Sequence, residues 1–72
     1  MKLNEVKVGE QAIIKKIGTD ASMKKKLMDM GLTKNTEVVV RKVAPLGDPI
    51  ELTVRGYELT IRKADAAQIE VA

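Results

Sequence analysis

The sequence contains neither cysteine nor histidine, and its only aromatic residue is Tyr57. Without cysteine there is no disulfide framework and no thiolate nucleophile, so the fold must be held together by packing. Without histidine, the chain lacks the side chain that most often transfers protons at neutral pH. These absences argue against an enzyme, and we expect no catalytic residues.

Ligands for transition metals are scarce for the same reason. Protein sites for iron, zinc and copper use mainly imidazole and thiolate, whereas this chain offers carboxylates, carbonyls and four methionines. Met23 and Met30 are expected to fill the core rather than to bind copper. The glycines stand singly and form neither a phosphate-binding loop nor a dinucleotide motif. We therefore predict no metal site and no cofactor.

Long apolar runs are also missing. The longest, such as Val38-Val39-Val40, have three residues, far below the ~20 residues of a membrane-spanning helix. The first ten residues carry four charges and no apolar run, which is unlike a signal peptide. A chain of 72 residues fits one small domain, residues 1–72, and its net charge of +3 favours an acidic partner. We expect a soluble, cytoplasmic protein without direct membrane insertion.

Two segments rich in β-branched residues, 11–17 and 37–43, predict strands. Between them, Met23, Leu27 and Met30 recur at the spacing of a buried helical stripe. Thr19 or Asp20 can cap the start of this helix, and Gly31 can take the left-handed conformation that ends it. The predicted helix spans residues 21–30.

The segments 50–54 and 57–61 alternate apolar and polar residues around Arg55-Gly56, which predicts a hairpin with a two-residue turn. In that register Val54 lies opposite Tyr57, and all apolar residues, Tyr57 included, point inward. Residues 64–67 suit one helical turn, with Asp65 as a cap, and 68–71 a short closing strand. The chain is thus predicted to be mainly β with one helix: a small SH3-like β-barrel of about five strands, with the α-helix after the first strand and an OB-like or Sm-like barrel as the alternative.

Two surfaces could bind a partner. On the helix, Met28 falls near Lys24 and Lys25, away from the buried stripe, and forms the apolar centre of a basic surface. Leu46 stands at the tip of the proline-containing loop 44–49 and is either folded back on the core or displayed. The predicted partner-binding residues are Lys24, Lys25, Met28 and Leu46.

Several segments together resemble the FeoA family of ferrous-iron transport accessory proteins, over almost the whole chain. The resemblance is carried by Leu-Met-Asp-Met-Gly-Leu at 27–32, Ala-Pro-Leu-Gly-Asp-Pro at 44–49 and Val-Arg-Gly-Tyr at 54–57, in this order and spacing. Asn35 departs from the glycine that family members usually have there, although asparagine also tolerates a positive φ.

The resemblance implies a non-catalytic SH3-like module in the cytoplasm that binds the cytosolic region of FeoB, a membrane ferrous-iron transporter with a GTP-binding domain, and modulates iron uptake. Such a protein could be recruited to the inner face of the membrane by its partner. Two alternatives stay open from the residues alone. One is a nucleic-acid-binding small β-barrel, which the scarcity of stacking aromatics disfavours; the other is a purely structural or oligomerising module.

Overall fold

The chain folds into five antiparallel strands and two helices, in a computed structural model that describes residues 1–72. A 3₁₀ turn at Leu3–Glu5 precedes them. The elements are β1 (Gln11–Ile17), α1 (Ala21–Asp29), β2 (Glu37–Val43), β3 (Ile50–Val54), β4 (Tyr57–Ile61), α2 (Lys63–Ala66) and β5 (Ile69–Val71). The predicted class, mainly β with one main helix after the first strand, is confirmed.

The strands form one sheet in the order β4-β3-β2-β1-β5. The outer edge of β5 is covered by the amino-terminal segment, since the Val71 amide donates to the Met1 carbonyl at 2.8 Å and Lys2 pairs with Glu70 in an isolated bridge. The strand β4 has no neighbour beyond it, so the sheet is not closed. The word barrel therefore describes its curvature only loosely.

Both long strands contain a bulge at a pair of basic residues. The register shifts between Ile14 and Lys16 in β1, and between Val40 and Lys42 in β2. The extra residue lets both side chains of each basic pair reach solvent and returns the next apolar residue, such as Ile17, to the inner face. Each bulge thus resolves the conflict between strict alternation and two adjacent charges.

The helix α1 begins and ends as its local sequence predicts. The Asp20 side chain accepts a hydrogen bond from the Met23 amide at 2.8 Å. At the other end Gly31 has φ +97°, and the Leu32 amide donates to the Leu27 carbonyl at 3.0 Å, which is the Schellman arrangement. The helix is one residue shorter than predicted, because Met30 is its C-cap.

The core contains 16 buried apolar residues drawn from the amino-terminal turn, both helices and all five strands. In α1 only Leu27 is fully buried, whereas Met23 and the C-cap residue Met30 are half-buried and pack against the core. The hairpin register of β3 and β4 is the predicted one, with Val54 opposite Tyr57. Tyr57, expected to point inward, lies at the rim and is 44% exposed.

The start of α2 differs from the sequence expectation. Asp65 does not cap it; instead the Asp48 side chain, from the loop after β2, accepts a hydrogen bond from the Lys63 amide at 2.9 Å. Asp65 accepts from Arg62 Nε at 3.2 Å. Neither α1 nor α2 has the length and apolar composition that a membrane crossing requires.

A lysine-lined groove and a displayed loop as candidate interaction sites

A groove of about 350 Å³ runs between α1 and the second half of β1. We call it the lysine groove, and its lining residues are Ile14, Lys15, Lys16, Ile17, Lys24, Met28 and Lys34. The two isoleucines are buried and form its floor, while Met28, 44% exposed, forms an apolar wall. Four lysines surround this apolar surface.

Local backbone features bring the lysines together. The bulge in β1 exposes Lys15 and Lys16 side by side. Lys24 and Met28 are four residues apart in α1 and therefore lie on the same flank of the helix. Lys34 precedes Asn35, whose φ of +69° shapes the turn and whose amide donates to the Ile14 carbonyl at 2.7 Å. The turn that carries Lys34 is thus fixed to β1.

None of these four lysines lies within 4 Å of a carboxylate. The three ion pairs of the structure join Glu70 to Lys2 and to the terminal amine, and Arg62 to Asp65. The pairing of Lys26 with Asp29 that their spacing allows is not formed. The lysine groove therefore concentrates unpaired positive charge around an apolar floor, which suits an acidic partner.

The loop after β2 displays Leu46, which is 94% exposed. Its conformation is held at several points: the Gly47 amide donates to the Ala44 carbonyl at 2.7 Å, and Asp48 binds the start of α2. Of the two alternatives left open by the sequence, the displayed one is correct. An apolar side chain on a loop anchored in this way can bind a partner with little loss of conformational entropy.

The predicted partner-binding residues lie on separate parts of the protein surface. Lys24 and Met28 both line the lysine groove, whereas Lys25 is exposed elsewhere on α1 and Leu46 belongs to the loop. Sequence reasoning missed Lys15, Lys16 and Lys34. The signal for the first two was the apolar spacing of 12, 14 and 17, which breaks alternation where a bulge is needed.

A second, polar cavity of about 420 Å³ lies beside the hairpin turn. It is lined by Asn35, Thr36, Glu37, Val39, Thr53, Arg55 and Gly56. The Arg55 guanidinium donates to the hydroxyls of Thr33 and Thr36 at 3.2 and 3.3 Å, so its donors serve the fold. Nowhere in residues 1–72 do three or more acidic side chains gather as ligands for a metal ion.

Comparison with known proteins gives consistent matches. The model of the FeoA domain family matches residues 1–72. A fusion protein of Porphyromonas gingivalis, comprising Fe(2+) transport protein A and the Fe(2+) transporter FeoB, is 34% identical over 71 residues; the match covers 99% of this chain and 8% of that protein. The chain therefore spans a small part of this relative.

Solved structures agree with the family match. The FeoA protein of Chlorobium tepidum is 39% identical, with a TM-score of 0.93 over 99% of this chain and 68% of that one. The zinc complex of FeoA from Stenotrophomonas maltophilia, described as a prokaryotic SH3 domain protein, superimposes with a TM-score of 0.81 at 21% identity, over 100% of this chain and 89% of that one. The predicted SH3-like fold is confirmed.

Proposed function

Since this chain belongs to the FeoA family, we propose that it is a non-catalytic accessory protein that binds the cytosolic region of a FeoB-type transporter and modulates ferrous iron uptake. The observation that carries this proposal is the P. gingivalis fusion, in which the same domain and an Fe²⁺ transporter form one chain. Covalent linkage keeps two domains at a high local concentration, which favours an interaction between them.

The chemistry of the side chains supports a role through contact rather than through metal transfer. Fe²⁺ is the cargo of the transporter, and a chain without histidine or cysteine offers few groups to hold it in transit. A cytoplasmic location, with recruitment to the inner face of the membrane by the transporter, follows from the same proposal. The protein would act on the conformation, the GTPase cycle or the assembly of its partner.

We assign the contacts to two exposed apolar side chains. Met28 lies among basic residues, and Leu46 lies on a loop that is held by hydrogen bonds. Lys24, Lys25 and Met28 would form the contact on α1, and Leu46 the contact on the loop. Interfaces gain most of their energy from a few side chains that become fully desolvated. Met28 and Leu46 are the side chains available for that purpose on these two surfaces.

A titration of the labelled protein with the GTP-binding domain of its cognate transporter tests the proposal. We expect localised amide shifts in α1 and residues 44–49, with GTP analogue and GDP compared to reveal any dependence on nucleotide. Met28→Asp and Leu46→Asp should each weaken binding about tenfold, because each places a charge where an apolar side chain is desolvated. Val8→Asp is the matched control, since Val8 is also exposed but lies outside both surfaces.

Absence of shifts at saturating concentrations of the GTP-binding domain would contradict binding through this domain. Equal affinity for all three variants would contradict the assignment of the contacts. Titration with a single-stranded oligonucleotide tests the nucleic-acid alternative. Binding of the oligonucleotide that weakens strongly as salt is added would favour that alternative. The structure offers little for base stacking, because Tyr57 is the only aromatic residue and its hydroxyl is bound to the Met30 carbonyl.

A further inference from the structure

Two features meet at the lysine groove. Its lysines have no ion-pair partners, and part of β1 has no neighbouring strand on one side. β1 pairs with β2 only through Gln11–Ile13, and from Ile14 onward its partner is β5 on the other side. Ile14 makes the last backbone bonds on the β2 side, donating to the Thr36 carbonyl and accepting from the Asn35 amide. No strand lies beside residues 15–17 on that side, which is where the groove opens.

We propose that the lysine groove binds an acidic, extended segment of a partner protein, with an apolar side chain of the segment seated against Ile17 and Met28. The carboxylates of the segment would lie against Lys15, Lys16, Lys24 and Lys34. This inference deepens the proposed function by giving the chemistry of the partner segment, and it rests on that function for the identity of the partner.

Charge complementarity argues for this occupant. The protein carries a net charge of +3, and four lysines without carboxylate partners lie around one groove. Their flexible stems can pack along apolar surface while the ammonium groups stay in water to meet carboxylates. Acidic residues in the segment would also speed its encounter with the groove and exclude basic competitors.

The shape of the groove favours a peptide over a nucleic acid. Its floor and one wall are aliphatic, from Ile14, Ile17 and Met28, and Tyr57 does not line it. An aliphatic side chain can be buried there, whereas a nucleic-acid base would find no aromatic surface for stacking. The unpaired side of β1 adds a means of recognising an extended backbone.

The probe is a fluorescein-labelled synthetic peptide of alternating glutamate and leucine, about eight residues long, whose binding is measured by fluorescence anisotropy. We expect binding that weakens as salt is added. A peptide with serine in place of leucine should bind about tenfold more weakly, because it cannot fill the apolar floor. A peptide with lysine in place of glutamate should not bind.

Two double variants with equal charge change locate the site. Lys16→Glu with Lys34→Glu reverses two charges at the groove, and Lys7→Glu with Lys42→Glu reverses two exposed charges that lie outside both the groove and the contacts proposed above. The first pair should weaken binding of the glutamate-leucine peptide about tenfold more than the second. Both variants change exposed residues, and amide spectra of each are recorded to check that the fold is intact.

Three results would overturn the inference: no binding of the peptide, equal weakening by the two double variants, or preferential binding of an oligonucleotide at the groove. The same variants are then titrated with the GTP-binding domain of FeoB. If this domain binds both variants equally, the inference fails and the proposed function stands. If the peptide binds at the groove and the transporter domain does not bind, the proposed function through that domain fails and the groove remains an acidic-peptide site.

Discussion

The hydroxyl of Tyr57 donates a hydrogen bond to the carbonyl oxygen of Met30, the residue that ends α1. The same hydroxyl covers Gly31, where an added Cβ would collide with it. Gly31 also has φ +97°, which favours glycine, and an added Cβ would require the Tyr57 side chain to move. The end of the helix and the start of β4 therefore hold each other in place.

This relationship predicts that Gly31→Ala destabilises the protein more than Gly56→Ala does. Both glycines have positive φ, so both substitutions carry a backbone penalty of about 1–2 kcal/mol. Only at Gly31 does the new methyl group meet Tyr57, since nothing lies within 4 Å of a Cβ at Gly56. Urea unfolding of the two variants measures the difference.

Tyr57→Phe provides the second test of the same contact. Alone it removes one hydrogen bond at a half-exposed site and should cost about 0.5–1 kcal/mol. Combined with Gly31→Ala, it removes the atom that the new methyl group meets. The double variant should therefore be destabilised by about 0.5–1 kcal/mol less than the sum of the two single destabilisations. Strict additivity would contradict the assigned collision.

Asp48 joins the loop that carries Leu46 to the first turn of α2. Its side chain accepts the Lys63 amide hydrogen, one of the donors that a helix start leaves unsatisfied. Asp48→Ala should therefore lower the free energy of unfolding by about 1 kcal/mol. It should also raise amide hydrogen exchange in residues 44–48, because the loop loses its anchor.

The control for this prediction is Asp48→Asn, which keeps an acceptor oxygen and removes the charge. We expect it to retain most of the stability and most of the exchange protection of the loop. If the asparagine variant lost as much stability as the alanine variant, the hydrogen bond to Lys63 would not be the source of the effect.

The features that were predicted from the sequence are those with local causes. The hairpin register of β3 and β4 follows from alternation and from the two-residue turn at Arg55 and Gly56, which have φ of +51° and +84°. The ends of α1 follow from Asp20 and Gly31, whose effects reach no further than one helical turn. The prediction that Met28 is exposed follows from helical spacing in the same way.

The features that were missed depend on residues distant in the chain. Asp48 reaches α2 across 15 residues, and Tyr57 reaches Met30 across 27. The lysine groove likewise joins β1, α1 and the turn before β2, so no single segment indicates it. Its bulge had a local signal in the apolar spacing, but the position of Lys34 relative to β1 depends on the tertiary fold.

Arg55 occupies a position at which a hairpin turn favours asparagine or glycine. Its φ of +51° is unfavourable for a long side chain, and its guanidinium compensates by donating to Thr33 and Thr36. Arg55→Lys should lose about 1 kcal/mol, because the backbone penalty stays and the fixed donor geometry is lost.

Arg55→Asn should change the stability less than Arg55→Lys does, since the gain in turn conformation offsets the lost hydrogen bonds. Thermal unfolding of the two variants at the same pH provides the comparison. A lysine variant as stable as the parent protein would show that the hydrogen bonds to Thr33 and Thr36 contribute nothing measurable.

Glu70 titrates below its usual range. The Lys2 ammonium beside the Glu70 carboxyl lowers its pKa from 4.5, and the charge of the terminal amine lowers it further. The Lys2 Nζ atom lies 3.2 Å from Glu70 Oε2. The carboxylate of Glu70 therefore binds a proton less tightly in the folded protein than in the unfolded chain. The carboxylate contributes stability that is present above the unfolded pKa and is lost as the pH falls through the lower folded pKa.

Lys2→Met should therefore raise the pKa of Glu70 towards 4.5 without fully restoring it, because the terminal amine remains 3.7 Å away. The pKa is measured by following the side-chain carboxyl carbon of Glu70 in an NMR titration. The free energy of unfolding of this variant should also fall less steeply between about pH 5 and pH 3, since less of the pKa difference between folded and unfolded states remains. Lys25→Met removes the same charge from a lysine with no carboxylate within 4 Å and should leave both quantities unchanged. If the two variants behaved alike, the low pKa of Glu70 would reflect the net charge of the protein rather than its pairing with Lys2.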